Sequence, residues 1–117
     1  MMVDGRVTTP MNNLQPPNWQ ARAAAFAQNR NLTYVPGVYA LDLMSELGEV
    51  AKEILLATDY GQTPPRFRPE LADELGDVLY SLCQLATAAH VDLEAAFTAT
   101  LAKYEARWQS DGQLGSR

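Results

Sequence analysis

A single cysteine, Cys83, excludes an intramolecular disulfide, and with only one histidine, His90, it leaves no nitrogen-and-sulfur ligand set for zinc. Cys83 stands among Leu82, Leu85 and Ala86, a setting that predicts a core residue in a reducing compartment. The shortage of histidine also excludes a di-iron bundle, which draws a Glu-x-x-His pair from each of two helices. No apolar run approaches the ~18–20 residues of a membrane span, and the N-terminus lacks a charged-then-apolar leader pattern. The expectation is a cytoplasmic protein with no membrane partner. Cations are scarce too. Nine Lys and Arg against fourteen Asp and Glu give a net charge of −5. Without a basic cluster, a surface that tracks nucleic-acid phosphates is excluded. The chain has no glycine-rich phosphate loop, no calcium loop of the EF-hand type and no nucleophile beside a general base. It shows no strand-like alternation either.

What is present is acid, arranged in a repeat. Glu46-Leu47-Gly48-Glu49-Val50 returns 28 residues later as Glu74-Leu75-Gly76-Asp77-Val78. Carboxylates three residues apart share one face of a helix. At about 100° per residue, Glu46, Glu49 and Glu53 fall in one arc, and Glu70, Glu74 and Asp77 in another. Beside the first arc runs an apolar one of Leu43, Leu47, Val50, Ile54 and Ala57. Beside the second runs Leu71, Leu75, Val78, Leu82 and Leu85. The acids are therefore expected on the border of each buried stripe, whereas an ordinary surface helix carries its charges opposite it. One such pair reads most simply as a solvated rim; two in the same register point to a cleft where carboxylates converge.

The length of 117 residues, 47% of them hydrophobic and 20% charged, suits one folded domain with a modest core. Residues 1–17, with their Asn, Gln, Thr and prolines, are expected to form a mobile arm, and residues 18–109 the helical domain. Asn18 is placed to cap a first helix over Trp19 to Asn29. Trp19, Ala23 and Phe26 share a face there, either as core packing or as rings for a planar ligand. A second helix is expected from Val38 to Thr58. A third is expected from Pro69 to Ala89, after a loop forced by Gly61, Pro64 and Pro65. A fourth, capped by Asp92, should run from Leu93 to Gln109, leaving 110–117 as a polar tail. The expected fold is all-α, a four-helix bundle. Gly48 and Gly76 sit mid-helix, where glycine costs about 1 kcal/mol relative to alanine; close approach of another backbone is the expected reason.

Carboxylate oxygens are hard ligands suited to Mg²⁺ or Mn²⁺. Such a cluster can hold the phosphates of a nucleotide, or orient and activate a water for attack on phosphorus. Basic groups should meet the remaining phosphate oxygens. Lys103 and Arg107, spaced i, i+4 on the fourth helix, are the first candidates, with Lys52, Arg66 and Arg68 behind them.

The ordered set Glu46-x-x-Glu49 and Glu74-x-x-Asp77 resembles the signature of the MazG-like all-α nucleoside triphosphate pyrophosphohydrolases. Val78-Leu79-Tyr80-Ser81-Leu82, Val91-Asp92-Leu93-Glu94-Ala95-Ala96-Phe97 and Lys103 with Arg107-Trp108 extend the resemblance over roughly residues 20–108. It implies Mg²⁺-dependent hydrolysis of a (deoxy)nucleoside triphosphate to the monophosphate and pyrophosphate, as in nucleotide-pool house-cleaning. The metal ligands would be Glu46, Glu49, Glu74 and Asp77, with Glu46 the residue to act on the attacking water. Lys103 and Arg107 would meet phosphates, and Trp19 and Phe26 the base, since the segment Phe26 to Pro36 is similar to a branch with dCTP-preferring members. Members are usually homodimers or homotetramers. The chain departs from the pattern at Ser45, where many relatives carry a further glutamate, and at Thr100 and Tyr104, where many read Lys-x-x-Lys-Asn. The alternatives are a non-catalytic nucleotide-sensing or oligomerisation module, and a relative of the dUTPase or phosphoribosyl-ATP pyrophosphatase type.

Overall fold

The computed structural model describes residues 18–112; the expected arm over 1–17 and the tail beyond Gly112 lie outside the described residues. Four helices follow in order: α1 (Trp19–Gln28), α2 (Pro36–Ala57), α3 (Glu70–Ala88) and α4 (Leu93–Asp111). No strand occurs among the described residues. The local signals act as the residues dictate. The Asn18 side chain accepts the Ala21 amide at 2.8 Å and the Asp92 side chain the Ala95 amide at 3.2 Å, each supplying a partner for an otherwise unpaired first-turn donor. Pro36 begins α2 two residues earlier than expected, because its fixed φ and missing N–H suit the first helical position. α4 runs two residues past Gln109 and ends at Gly112, whose φ of 69° is left-handed.

The other three helices end without glycine in that role. Asn31, Asp59 and His90 take positive φ, and the residue after each sends its amide back five residues: Leu32 to the Ala27 carbonyl, Tyr60 to Leu55 and Val91 to Ala86. Asn, Asp and His are the side chains that best tolerate this conformation. At the end of α2 the left-handed stretch continues through Tyr60 and Gly61, which reverses the chain sharply into the loop leading to α3.

α3 is the centre of the molecule, with α2 against one side and α1 against another. Both pairs are antiparallel. Tyr39 near the start of α2 meets Gln84 near the end of α3, and Glu53 near the end of α2 meets Arg68 just before α3. Likewise Gln20 at the start of α1 bonds Thr87, and Phe26 near its end meets the ring of Tyr80 edge-on at 6.1 Å.

The seam between α2 and α3 differs from the expected apolar stripe. The buried and half-buried positions of α2 are Tyr39, Leu43, Glu46, Val50, Glu53 and Ala57, in alternating steps of four and three. On α3, Leu71, Glu74 and Val78 are half-buried and Ser81 is buried, again in steps of three and four. Leu47, Ile54, Leu75 and Leu82, expected inside, are exposed in the single chain. Glu46, Glu53 and Glu74 thus lie in the seam itself, while Glu49, Glu70 and Asp77 stay exposed along its border, where the pattern places them. Each helix is rotated toward its polar shoulder because polar contacts hold it there. The Tyr39 hydroxyl donates to the Leu32 carbonyl at 2.9 Å and accepts from the Tyr34 amide at 3.1 Å and Gln84 Nε2 at 3.3 Å. Cys83 is buried, as its setting predicts. The expected close backbone approach at Gly48 and Gly76 is not found: an added Cβ at either meets open space.

Candidate functional site

The antiparallel register brings the two acidic motifs to one level. One carboxylate oxygen each from Glu46 on α2 and from Glu74 and Asp77 on α3 lie within 4.8 Å of one another. Glu46 and Glu74 are half-buried in the seam, while Asp77 is exposed at its edge, so the trio opens to solvent on one side. Glu49 stands outside the trio, yet its charge is the leading one felt at Glu74. Partial burial first, then the charges of Glu49, Asp77, Glu46 and Glu53, hold the Glu74 carboxyl above the usual carboxylate range. Every charge in that list is acidic. Oxygens so placed, without nitrogen or sulfur ligands, fit a hard divalent cation, and their mutual repulsion is what such an ion relieves.

A little further along the seam lies an ion pair that the motif alone does not reveal. The nearly buried Glu53 carboxylate is clasped by Arg68 from the α2–α3 loop, with Nε 2.9 Å from Oε1 and Nη2 donating to Oε2 at 3.3 Å. Arg68 Nε also lies 3.5 Å from Glu70 Oε1. Glu53 was visible in the sequence as a third acid on the arc of Glu46 and Glu49. Its partner was not, because the loop must first turn back.

On another face of α3, residues of α1, α3 and α4 line an open apolar cavity of about 780 Å³, Trp19, Arg22, Leu79, Leu82, Cys83 and Phe97 among them. A smaller one of about 360 Å³ shares Trp19, Arg22, Leu79 and Cys83 and adds Ala23, Gly76 and Tyr80. Gly76 is the residue before Asp77, so this second wall begins next to the acid trio. Burial, then the neighbouring Tyr39 and Tyr34, raise the Tyr80 phenol above its ordinary value, so it remains a neutral donor at pH 7. Cavity walls are held at one end by Gln20, which accepts the Leu93 amide at 2.8 Å and donates to the Val91 carbonyl at 2.7 Å and Thr87 Oγ1 at 3.2 Å.

Of the two expected ring residues, Trp19 lines both cavities and Phe26 lines neither. One face of Phe26 is covered by the Arg30 guanidinium, 4.0 Å from the ring centroid, and its flank by Tyr80. Lys103 and Arg107 are on α4, with Lys103 Nζ 5.5 Å from the Tyr104 ring centroid. Neither is among the charges felt at Glu74. Arg22 and Tyr80 were not singled out by the sequence; Arg22 stands three residues after Trp19, a spacing that shares a helix face.

Comparison with known proteins bears on the family and the fold. Residues 36–110 match the family described as MazG nucleotide pyrophosphohydrolase domain. The fold is similar to that of the Bacillus-conserved MazG protein, a nucleotide pyrophosphohydrolase, at 24% identity with a TM-score of 0.62, covering 78% of this chain and 93% of that one. It is also similar to the putative pyrophosphatase YPJD from Bacillus subtilis, at 26% identity with a TM-score of 0.61, covering 78% of this chain and 98% of that one. No curated protein matches the chain.

Proposed function

Because the chain belongs to the MazG nucleotide pyrophosphohydrolase family, we propose that it hydrolyses a (deoxy)nucleoside triphosphate to the monophosphate and pyrophosphate, with Mg²⁺ or Mn²⁺ held by Glu46, Glu49, Glu74 and Asp77. The observation that carries this reading is the convergence of the Glu46, Glu74 and Asp77 carboxylates within 4.8 Å. When bound, the ion screens the polyphosphate and lowers the pKa of a coordinated water.

The chain's own groups do the rest. Glu46 orients the attacking water and accepts its proton at a carboxylate oxygen. Water supplies the new P–O bond, the α–β phosphoanhydride breaks and pyrophosphate leaves. Lys103 and Arg107 contact phosphate oxygens that the acids leave uncovered. Trp19 stacks on the base in the cavity between α1 and α3, and Tyr80 donates a hydrogen bond there. The apolar wall of that cavity excludes water from the base.

The assembly is a homodimer or homotetramer in the cytoplasm. Supporting it are the many large apolar side chains left exposed on a single chain, Leu41, Met44, Leu47, Phe97, Leu101 and Trp108 among them. No helix among the described residues is long and apolar enough to cross a membrane.

The test is product analysis with a panel of nucleoside triphosphates, with and without Mg²⁺. Monophosphate plus pyrophosphate is the expected pair. Orthophosphate alone, or no turnover with any base, overturns the reading.

A further inference from the structure

The acid trio is not the only carboxylate site in the α2–α3 seam. Glu53 lies on the same face of α2 as Glu46, two turns further on, and its side chain is only 8% exposed. It is close enough for its charge to be felt at Glu74. A buried carboxylate is tolerated only when paired. Its partner Arg68 comes from the loop, not from either helix. That loop is set by the left-handed run Asp59, Tyr60 and Gly61, and pinned by the Arg66 amide on the Ala57 carbonyl at 2.8 Å. Arg68 Nη2 donates to Glu53 Oε2 at 3.3 Å, while Nε lies 2.9 Å from Oε1 as an ion-pair contact that leaves Oε1 without a hydrogen bond. A contact of Nε with Glu70 Oε1 at 3.5 Å ties the same guanidinium to the first residue of α3.

We infer that Arg68 is a positioning residue for the metal-binding acids: its ion pair with Glu53 neutralises that carboxylate and keeps it out of the cluster that Glu46, Glu74 and Asp77 form. The inference rests on the reading of the acids as a metal site. With Arg68 in place, Glu53 is neutralised and the cluster presents its own acids to the cation. Without Arg68, a further negative charge is released into the seam, free to swing toward the acids and to push α2 away from α3. Glu53 is thus a support for the site and not one of its ligands.

The test is Mn²⁺ binding, followed by titration calorimetry and electron paramagnetic resonance, together with pyrophosphate release. Arg68→Gln is expected to weaken Mn²⁺ binding about tenfold or more, the scale on which partners of metal ligands act. Arg68→Lys should fall in between, since an ammonium keeps the charge but not the planar guanidinium that reaches both Glu53 and Glu70. The double variant Arg68→Gln with Glu53→Gln should recover most of the loss, because the uncompensated charge is gone. Glu53→Gln alone should bind Mn²⁺ within about threefold of the wild type, a change under 1 kcal/mol. That single variant keeps the inference exposed if Arg68→Gln does not fold: loss of Mn²⁺ binding in Glu53→Gln would make Glu53 a ligand and overturn it. A folded Arg68→Gln that binds Mn²⁺ as tightly as the wild type overturns it too, as does a double variant with no recovery. A wild-type protein that neither binds Mn²⁺ nor releases pyrophosphate overturns the reading of the site together with this inference. A wild-type protein that does both leaves the site standing, whatever becomes of Arg68.

Discussion

The α2–α3 pair and α4 are built on different terms. α2 and α3 are locked by side chains that specify one register: the Tyr39–Gln84 contact at one end, the Glu53–Arg68 clasp at the other, and the acids between them. α4 begins with a firm cap and the Gln20 stitch to α1, yet none of its residues with a described side chain is buried. Phe97, Leu101 and Trp108 are each more than half exposed, Phe97 at the open cavity it shares with α1 and α3. The first region encodes geometry within one chain; the second has apolar surface that one chain does not cover. The proposed site draws its acids from the locked pair and its cations, Lys103 and Arg107, from the uncovered helix, so that proposal depends on both kinds of order.

Substitutions at the acids break the locked half most severely. Glu49→Gln and Asp77→Asn should each abolish turnover, and Glu46→Gln should lower it about 10²–10⁴-fold, the usual contribution of a general base. Far-ultraviolet circular dichroism should be unchanged in all three, and pyrophosphate release is the measurement. Next in size is the uncovered half. Leu101→Glu on α4 should shift the sedimentation profile toward single chains and cut activity, while the metal-binding affinity of the α2–α3 acids changes much less. An undisturbed oligomer with Leu101→Glu would show that α4 is not the surface through which copies meet.

Smaller effects sharpen the contrast. The Glu74 carboxyl is held above its ordinary range, so its neutral form is favoured by the fold. The stability it lends is complete below the ordinary glutamate value and is lost as pH rises through the raised one. Metal-free Glu74→Gln should therefore melt at a higher temperature than the wild type at pH 7. The gap should shrink on acidification toward about pH 4, where the wild-type carboxyl is protonated too. Adding Mg²⁺ should stabilise the wild type and not the variant. The smallest effect is at Gly48, where an added Cβ meets open space within the chain. Gly48→Ala should raise stability by about 1 kcal/mol if α2 is bare there. A loss instead, in thermal melts of the assembled protein, would place another copy against that turn.

What the sequence disclosed about the fold was mostly local. Asn18, Asp92 and Pro36 act within one turn of themselves, so the helix starts fell within two residues of the structure. The acidic motifs were legible because Glu46, Glu74 and Asp77 combine helical spacing with a repeat, and both survive folding. The rotation of α2 and α3 was not legible. An apolar-periodicity argument assumes that leucines point inward, whereas Tyr39, Glu53 and Gln84 are buried here through the Tyr39–Gln84 hydrogen bond and the Glu53–Arg68 ion pair, with Glu53 Oε1 and Gln84 Oε1 left unpaired. Arg68 was recognisable as a cation but not as a clasp, since its position depends on three successive left-handed residues, only one of which is glycine. Phe26 was open to packing or to a ligand, and the sequence did not disclose that Arg30, four residues later, covers one face of a ring that stays 47% exposed.

Because the chain holds one sulfhydryl, it carries its own opening gauge. Cys83 borders both cavities, has 1% of its surface exposed, and burial raises its thiol above the usual range. Alkylation at neutral pH then requires α1 or α4 to swing aside, so the labelling rate counts those excursions without any engineered probe. On the proposed reading, a nucleotide seated against Trp19 would slow that clock.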